Sequence, residues 1–322
     1  MQRDARLWQV GLVGYGEVGR ILAEDLRRQG VGVAAYDRKL ELGGSGDAAV
    51  MREHAARHGV ALAGGHGELS AAADLVVSAV TASQAVPVAQ VCAPALRAGT
   101  WYLDMNSASP CAKQQAARLV DGAGGRFVEA AVMTSVPPHR IRVPILLGGA
   151  QAAALAPALE RLGFSAHVAS ERLGVASATK MCRSVIIKGM EAMFFESLVA
   201  ARAYGVEEQV LASLQETFPG IDWDRQASYF FQRSILHGRR RAEEMFEAAA
   251  TVREIGLEPW SADGTARRQA WIADCAGQGI FGAAGPQPAE GSWRDAADRI
   301  LASRGRTAPA AGAGAKESKE TI

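Results

Sequence analysis

Lysine is scarce in this 322-residue chain. Only six of its 35 basic residues are lysines (Lys39, Lys113, Lys180, Lys188, Lys316 and Lys319), so arginine is the default cation. Cysteine is scarcer still, and the four present (Cys92, Cys111, Cys182, Cys275) lie too far apart for a Cys-x-x-Cys pair or a dense disulfide framework. A reducing compartment suits such a chain. Surplus charge is also missing: 35 Lys and Arg against 34 Asp and Glu leave a net +1, too little to gather nucleic acid or an anionic membrane. No apolar run approaches the ~18 residues of a membrane span, and the opening MQRDARLWQV lacks an apolar signal segment. These absences point to a soluble, cytoplasmic protein without nucleic-acid or membrane partners. What is there is core-forming material, 48% hydrophobic residues, in a length that makes about two domains at ~150 residues each.

The first half alternates short apolar runs with longer Ala-rich amphipathic stretches, the pattern of an α/β fold with a mostly parallel sheet. Strands are expected at 8–13, 31–36, 75–80, 101–103, 127–132 and 143–147. Val18, Ile21, Leu22 and Leu26 recur at helical spacing between the first two strands, which makes a βαβ unit. From Ser177 to Tyr204 there is no proline and a single glycine, so a long helix is expected, followed by helices over 207–217, 224–237, 241–255 and 264–276. The organisation expected is a dinucleotide-binding domain over 1–172, an all-helical substrate and dimerisation domain over 173–302, and a disordered, Ala/Gly/Lys/Glu-rich tail over 303–322.

Gly14-Tyr15-Gly16-Glu17-Val18-Gly19 has the form Gly-x-Gly-x-x-Gly. It follows an expected strand, opens an expected helix, and precedes Asp37 at the end of the next strand. That is the context in which the pattern binds a dinucleotide. Gly14 allows the tight turn, Gly16 lets backbone approach a pyrophosphate at the helix N-terminus, and Gly19 lets helix pack on strand. Asp37 would accept hydrogen bonds from the adenosine ribose. An acidic residue there favours NAD, whereas the adjacent Arg38 and Lys39 could hold the extra phosphate of NADP; the acidic group tips the reading toward NAD.

Lys180 stands on the long helix after nearly two turns of small residues, one turn from Arg183 and Ser184. Oxidising an alcohol needs a group that takes the hydroxyl proton, which arginine cannot do and lysine can, once burial and neighbouring positive charge bring its pKa from ~10.4 toward ~7 to 8. Arg183 is a candidate fork for an anionic substrate group, with His139, Arg140 and Arg142 weaker ones. His237-Gly238-Arg239-Arg240-Arg241 reads as a basic helix start that either reaches the cleft from the helical domain or stands exposed. His54 and His58 are four residues apart but show no third ligand in the sequence, so no metal is expected. Cys182 reads as a buried thiol, and Met190, Met193, Phe194 and Leu198 as helix core or dimer interface.

The N-terminal glycine fingerprint, the helix with Gly174-x-x-x-x-x-Lys180 and the helical region that follows resemble the β-hydroxyacid dehydrogenases, the family of 3-hydroxyisobutyrate dehydrogenase and 6-phosphogluconate dehydrogenase. The resemblance implies a Rossmann-like domain followed by an all-helical domain, a homodimer built through the helices, and Lys180 as the catalytic acid/base. It implies that Val80, Thr81 and Asn106, in Asp104-Met105-Asn106-Ser107 through Pro110, line the cofactor cleft. Residues 129–135 fall on the substrate loop, where Met133, Thr134 and Ser135, with Arg183 and Ser184, would contact substrate. The chain departs from the family pattern Asp-x-Pro-Val-Ser-Gly-Gly by having Met133-Thr134-Ser135 followed by Pro137-Pro138. It also has Ser184 where asparagine is usual and Glu243-Glu244 where a Lys-Asp pair is usual, the marks of a divergent branch. The implied activity is NAD(P)-dependent oxidation of a small β-hydroxy acid, or the reverse reduction. Two other readings share the architecture: an imine reductase, which generally lacks a lysine at this place, and a non-catalytic dinucleotide sensor or interaction protein.

Overall fold

The computed structural model describes residues 4–41, 46–282 and 292–306. Two compact units form, one from Met1–Arg183 with Ala250–Glu258, the other from Ser184–Ala249 with Pro259–Ile322. Among the described residues no helix is long and apolar enough to cross a membrane.

The first unit holds one eight-stranded sheet: β1 (Gln9–Val13), β2 (Gly32–Tyr36), β3 (Ala61–Leu62), β4 (Leu75–Ser78), β5 (Trp101–Asp104), β6 (Arg126–Val132), β7 (Pro144–Gly148) and β8 (Ser165–Ser170). The order is β3-β2-β1-β4-β5-β6-β7-β8, parallel throughout except for the antiparallel β6–β7 pair. Its helices are α1 (Glu17–Arg28), α2 (Gly46–His58), α3 (His66–Ala72), α4 (Ala85–Cys92), α5 (Pro110–Gly122), α6 (Val136–His139) and α7 (Ala152–Arg161). Successive strand residues feed separate cores: Leu75 and Val77 pack with Leu12 and Leu103, while Val76 packs with Val13, Tyr102 and Phe127. Burial on both faces is why these strands read as continuous apolar runs. The chain leaves β1 to one side for β2 and returns on the other for β4, so the sheet changes direction beside β1, and an open α/β sheet binds ligands at such a point, at the carboxyl ends of its strands.

The six expected strands are all present. The two unexpected ones, β3 and β8, lie at the sheet's edges, where β3 is exposed and β8 lacks a continuous apolar run.

Helix α8 (Val175–Tyr204) starts in the first unit and continues into the second, which also holds α9 (Glu207–Thr217), most of α10 (Trp223–Arg253), α11 (Trp260–Gly277) and α12 (Trp293–Ser303). Phe195 of α8 stacks on Phe231 of α10 at 4.2 Å between centroids, and the buried indole of Trp293 donates to Asp224 at 2.9 Å. The sequence suggested two helices either side of Gly238; instead α10 runs unbroken through it, so His237 to Arg241 is the middle of a helix and not a basic start. Packing explains the glycine, because a Cβ there would lie 2.8 Å from the Gln269 carbonyl of α11. Helix α12 ends at Ser303; from residue 307 onward the expected disordered tail lies outside the described residues.

Candidate functional site

At the carboxyl end of β1, Gly14 adopts φ +93, a left-handed conformation that glycine tolerates. Any Cβ there would overlap the Ala79 carbonyl, and one on Gly19 would overlap the Gly14 carbonyl. Gly16 is different. It precedes the first residue of α1, and a Cβ on it would meet nothing within 4 Å. Open space in front of a helix N-terminus suits a pyrophosphate, since the first amides of the helix have no intrahelical acceptor. Glu17 is exposed, Val18 packs against the core, and Tyr15 is fully buried. Asp37 follows β2 and accepts from the Tyr15 amide and the Lys39 amide, both at 2.9 Å. Arg38 is exposed, and Lys39 is paired with Asp47 at 2.7 Å.

A second group forms beyond β4 and β5. Buried Asn106 accepts from the Val80 amide at 2.7 Å, donates to Ser78 Oγ at 2.9 Å and donates its own amide to Asp104 at 2.9 Å. Asp104 is in turn paired with Lys113 at 2.9 Å, both buried, and Lys113 also donates to the Asp104 carbonyl. Ser109 caps α5 through the Ala112 amide. The turn from Asp104 to Ser109 is thus held from several sides, and it presents Ser107 to the lysine: Lys180 Nζ donates to Ser107 Oγ at 2.5 Å. Thr81, one residue beyond Val80, is exposed.

The start of the lysine's helix is anchored independently. Buried Glu129 of β6 accepts from the Gly174 amide at 2.7 Å, the Ala176 amide at 3.2 Å and the Ser177 hydroxyl at 2.8 Å, a carboxylate at a helix N-terminus where the dipole favours it. Sequence alone put Glu129 merely at the head of the substrate loop. Within that loop Met133 is half-buried with its amide on the Pro144 carbonyl, Thr134 is exposed, and Ser135 precedes the short helix α6.

Along α8, Ser177, Met181, Ser184 and Lys188 form the buried face. Cys182 and Arg183 fall outside it and are exposed, so the expectation of a buried thiol is corrected by helical phase. In the second unit Lys188 donates to Ser184 Oγ at 3.2 Å and pairs with Glu244 at 2.7 Å. Burial pushes the Lys188 amine below its ordinary pKa, against the pull of Glu244. Arg241 and Glu191 form another buried pair nearby on the same helices. Two of the scarce lysines, Lys113 and Lys188, therefore serve buried ion pairs. Arg140 is also accounted for: it pairs with Glu24 at 2.6 Å and Asp25 at 2.9 Å of α1.

Residues 9–169 match the model of the NAD binding domain of 6-phosphogluconate dehydrogenase, and 201–272 match a domain of unknown function, DUF1932. A conserved hypothetical protein of Sinorhizobium meliloti 1021 is 35% identical, with 92% of this chain and 98% of that one covered at a TM-score of 0.70. The chain belongs to the β-hydroxyacid dehydrogenase family. It is a divergent branch: a conserved protein of unknown function, reported as structurally similar to 3-hydroxyacid dehydrogenases, is 33% identical (84% and 98% covered, TM-score 0.64). The 3-hydroxyisobutyrate dehydrogenase of Mycobacterium tuberculosis shares the fold at 17% identity (91% and 99% covered, TM-score 0.61). The β-hydroxyacid dehydrogenase fold brings with it a nicotinamide dinucleotide cofactor. The open cradle at Gly16 and the carboxylate at Asp37 fit that group.

Proposed function

We propose that the protein is an NAD(P)-dependent dehydrogenase that oxidises a small β-hydroxy acid to the oxo acid or semialdehyde, or reduces the oxo compound, with Lys180 as general acid/base. The observation that carries this reading is the Lys180–Ser107 hydrogen bond. It ties the amine to the turn that also holds Asn106 and Val80, at the carboxyl ends of β4 and β5 where an open α/β sheet places its ligands.

When bound, the nicotinamide ring accepts or gives the hydride. The glycines of the first turn and the N-terminus of α1 would hold the pyrophosphate, Asp37 the ribose, and Val80, Thr81 and Asn106 the wall beside them. Lys180 takes the proton from the substrate hydroxyl in the oxidative direction and returns it in the reductive one. Ser107 fixes where its nitrogen waits. Met133, Thr134, Ser135 and Ser184 bind substrate, the hydroxyls through its oxygens, and exposed Arg183 pairs with an anionic group. Asp37 favours NAD, since its carboxylate would repel a 2′-phosphate. The helical region serves substrate binding and self-association, with exposed Ile186, Met193, Tyr229, Leu236 and Phe246 as apolar side chains a homodimer would cover. Four unpaired cysteines suit a cytoplasmic setting.

The test is a panel of 3-hydroxy acids, sugar acids, β-hydroxy amino acids and imines, followed by nicotinamide absorbance with NAD and NADP in parallel. Turnover of a hydroxy acid, faster with NAD, is expected. Cofactor binding with no turnover of any panel member would mark a non-catalytic dinucleotide sensor, and turnover confined to imines a reductase of that class.

A further inference from the structure

A histidine and carboxylate cluster in the first unit takes no part in the proposed hydride chemistry. His54 and His58 lie one turn apart on α2, with ring centroids 4.5 Å apart. The third ligand that the sequence did not reveal comes from the neighbouring helix: Glu24 Oε1 of α1 is 3.1 Å from His54 Nε2 and 3.8 Å from His58 Nε2. One donor atom from each residue falls within 4.8 Å of the other two. A tetrahedral zinc ion with bonds of about 2.0 to 2.1 Å sets its ligand atoms about 3.3 Å apart, so the carboxylate-to-imidazole separations bracket what the ion needs.

The surroundings of these three groups are those of ligands already aimed. The other nitrogen of His54, Nδ1, lies 2.8 Å from the hydroxyl of buried Tyr15. A ligating histidine commonly gives its second N–H to such a partner, which fixes both tautomer and ring orientation. The second oxygen of Glu24 is held by Arg140 at 2.6 Å and by Arg28 at 3.1 Å, leaving Oε1 to face the imidazoles. The His58 side chain is 24% exposed, which gives an ion a way in.

We propose that Glu24, His54 and His58 bind one zinc ion, with solvent as the fourth ligand and Tyr15 as the group that orients His54. Two imidazoles and one carboxylate suit zinc and the later first-row divalent metals, whereas magnesium prefers oxygen ligands alone. The two arginines on Glu24 oppose a cation, so the site discriminates by ligand type more than by charge. A bound ion would clamp α1 to α2 and, through Tyr15, stiffen the turn between Gly14 and Gly16.

The experiment is zinc titration of the chelator-stripped full chain against a chromophoric competitor, with magnesium in a parallel arm. One zinc per chain is expected, undisturbed by magnesium. His58→Ala and His58→Gln, on the solvent side of α2, should each weaken it at least ~10-fold with an unchanged metal-free melting temperature, and Tyr15→Phe by about 10-fold. Absence of stoichiometric binding, wild-type zinc affinity in both His58 variants, or displacement by equimolar magnesium would overturn the site.

Discussion

Glu129 and Gly148 face each other across the antiparallel β6–β7 pair, and the Glu129 carboxylate folds into the space that a side chain at Gly148 would take. The same carboxylate holds the start of α8, so the register of two strands decides where the helix bearing Lys180 begins. Gly148→Ala should displace the carboxylate and lower stability by about 1 to 3 kcal/mol, the usual range for overpacking. Glu129→Gln, which cannot accept with two equivalent oxygens, should lose about 1 to 3 kcal/mol by leaving a buried donor unmatched. Urea unfolding measures both; midpoints equal to wild type would remove this anchor from the account.

Two glycines of the first turn should respond oppositely to alanine. Gly19→Ala forces a methyl into the Gly14 carbonyl and should cost stability, about 1 to 3 kcal/mol. Gly16→Ala projects into open space, so its melting temperature should stay near wild type while dinucleotide affinity falls. Calorimetric titration alongside thermal melts separates them; unaltered dinucleotide affinity in Gly16→Ala would argue against a phosphate at this helix end.

Asp37→Ser should narrow or reverse the proposed preference for NAD. A hydrogen bond to a charged acceptor contributes about 1.5 to 3 kcal/mol, so NAD affinity should fall roughly 10-fold or more. NADP affinity should hold or rise as repulsion is removed. Parallel dissociation constants check this, and equal losses for both cofactors would mean that Asp37 merely supports the Tyr15 and Lys39 amides.

Stability should also depend on His237. Burial, reinforced by Arg240, Arg233 and Arg241, pushes its pKa from 6.5 down to about 4, with Glu244 opposing. The folded state therefore stays neutral where the unfolded chain already takes a proton. The contribution is present above pH 6.5 and is lost as pH falls toward 4. Because the ring is only half-buried, the loss is on the order of 1 kcal/mol after solvent screening. Urea unfolding at pH 7 and pH 5 should show a larger drop for wild type than for His237→Gln; equal drops would contradict it.

The strand, glycine turn and helix from Gln9 to Arg28 were legible because each glycine answers a steric demand and the flanking residues keep their period. Edge strands β3 and β8 were not, since a two-residue exposed ladder and a mixed polar run carry no alternation to read. Gly238 looked like a helix break because its function, close approach of α11, lies in tertiary packing. Lys180 stood out by residue type, but Ser107 is 73 residues away in sequence and only the folded chain joins them. Glu24 escaped notice as a partner of His54 and His58 for the same reason: contacts between helices leave no spacing to count.

Replacing Lys180 with methionine, in the full chain, with a hydroxy acid from the panel and the preferred cofactor, addresses the proposed chemistry most directly. Dinucleotide affinity should stay at its wild-type value while turnover falls ~10² to 10⁴-fold. Undiminished turnover in that variant would show that the amine beside Ser107 carries no proton in the reaction.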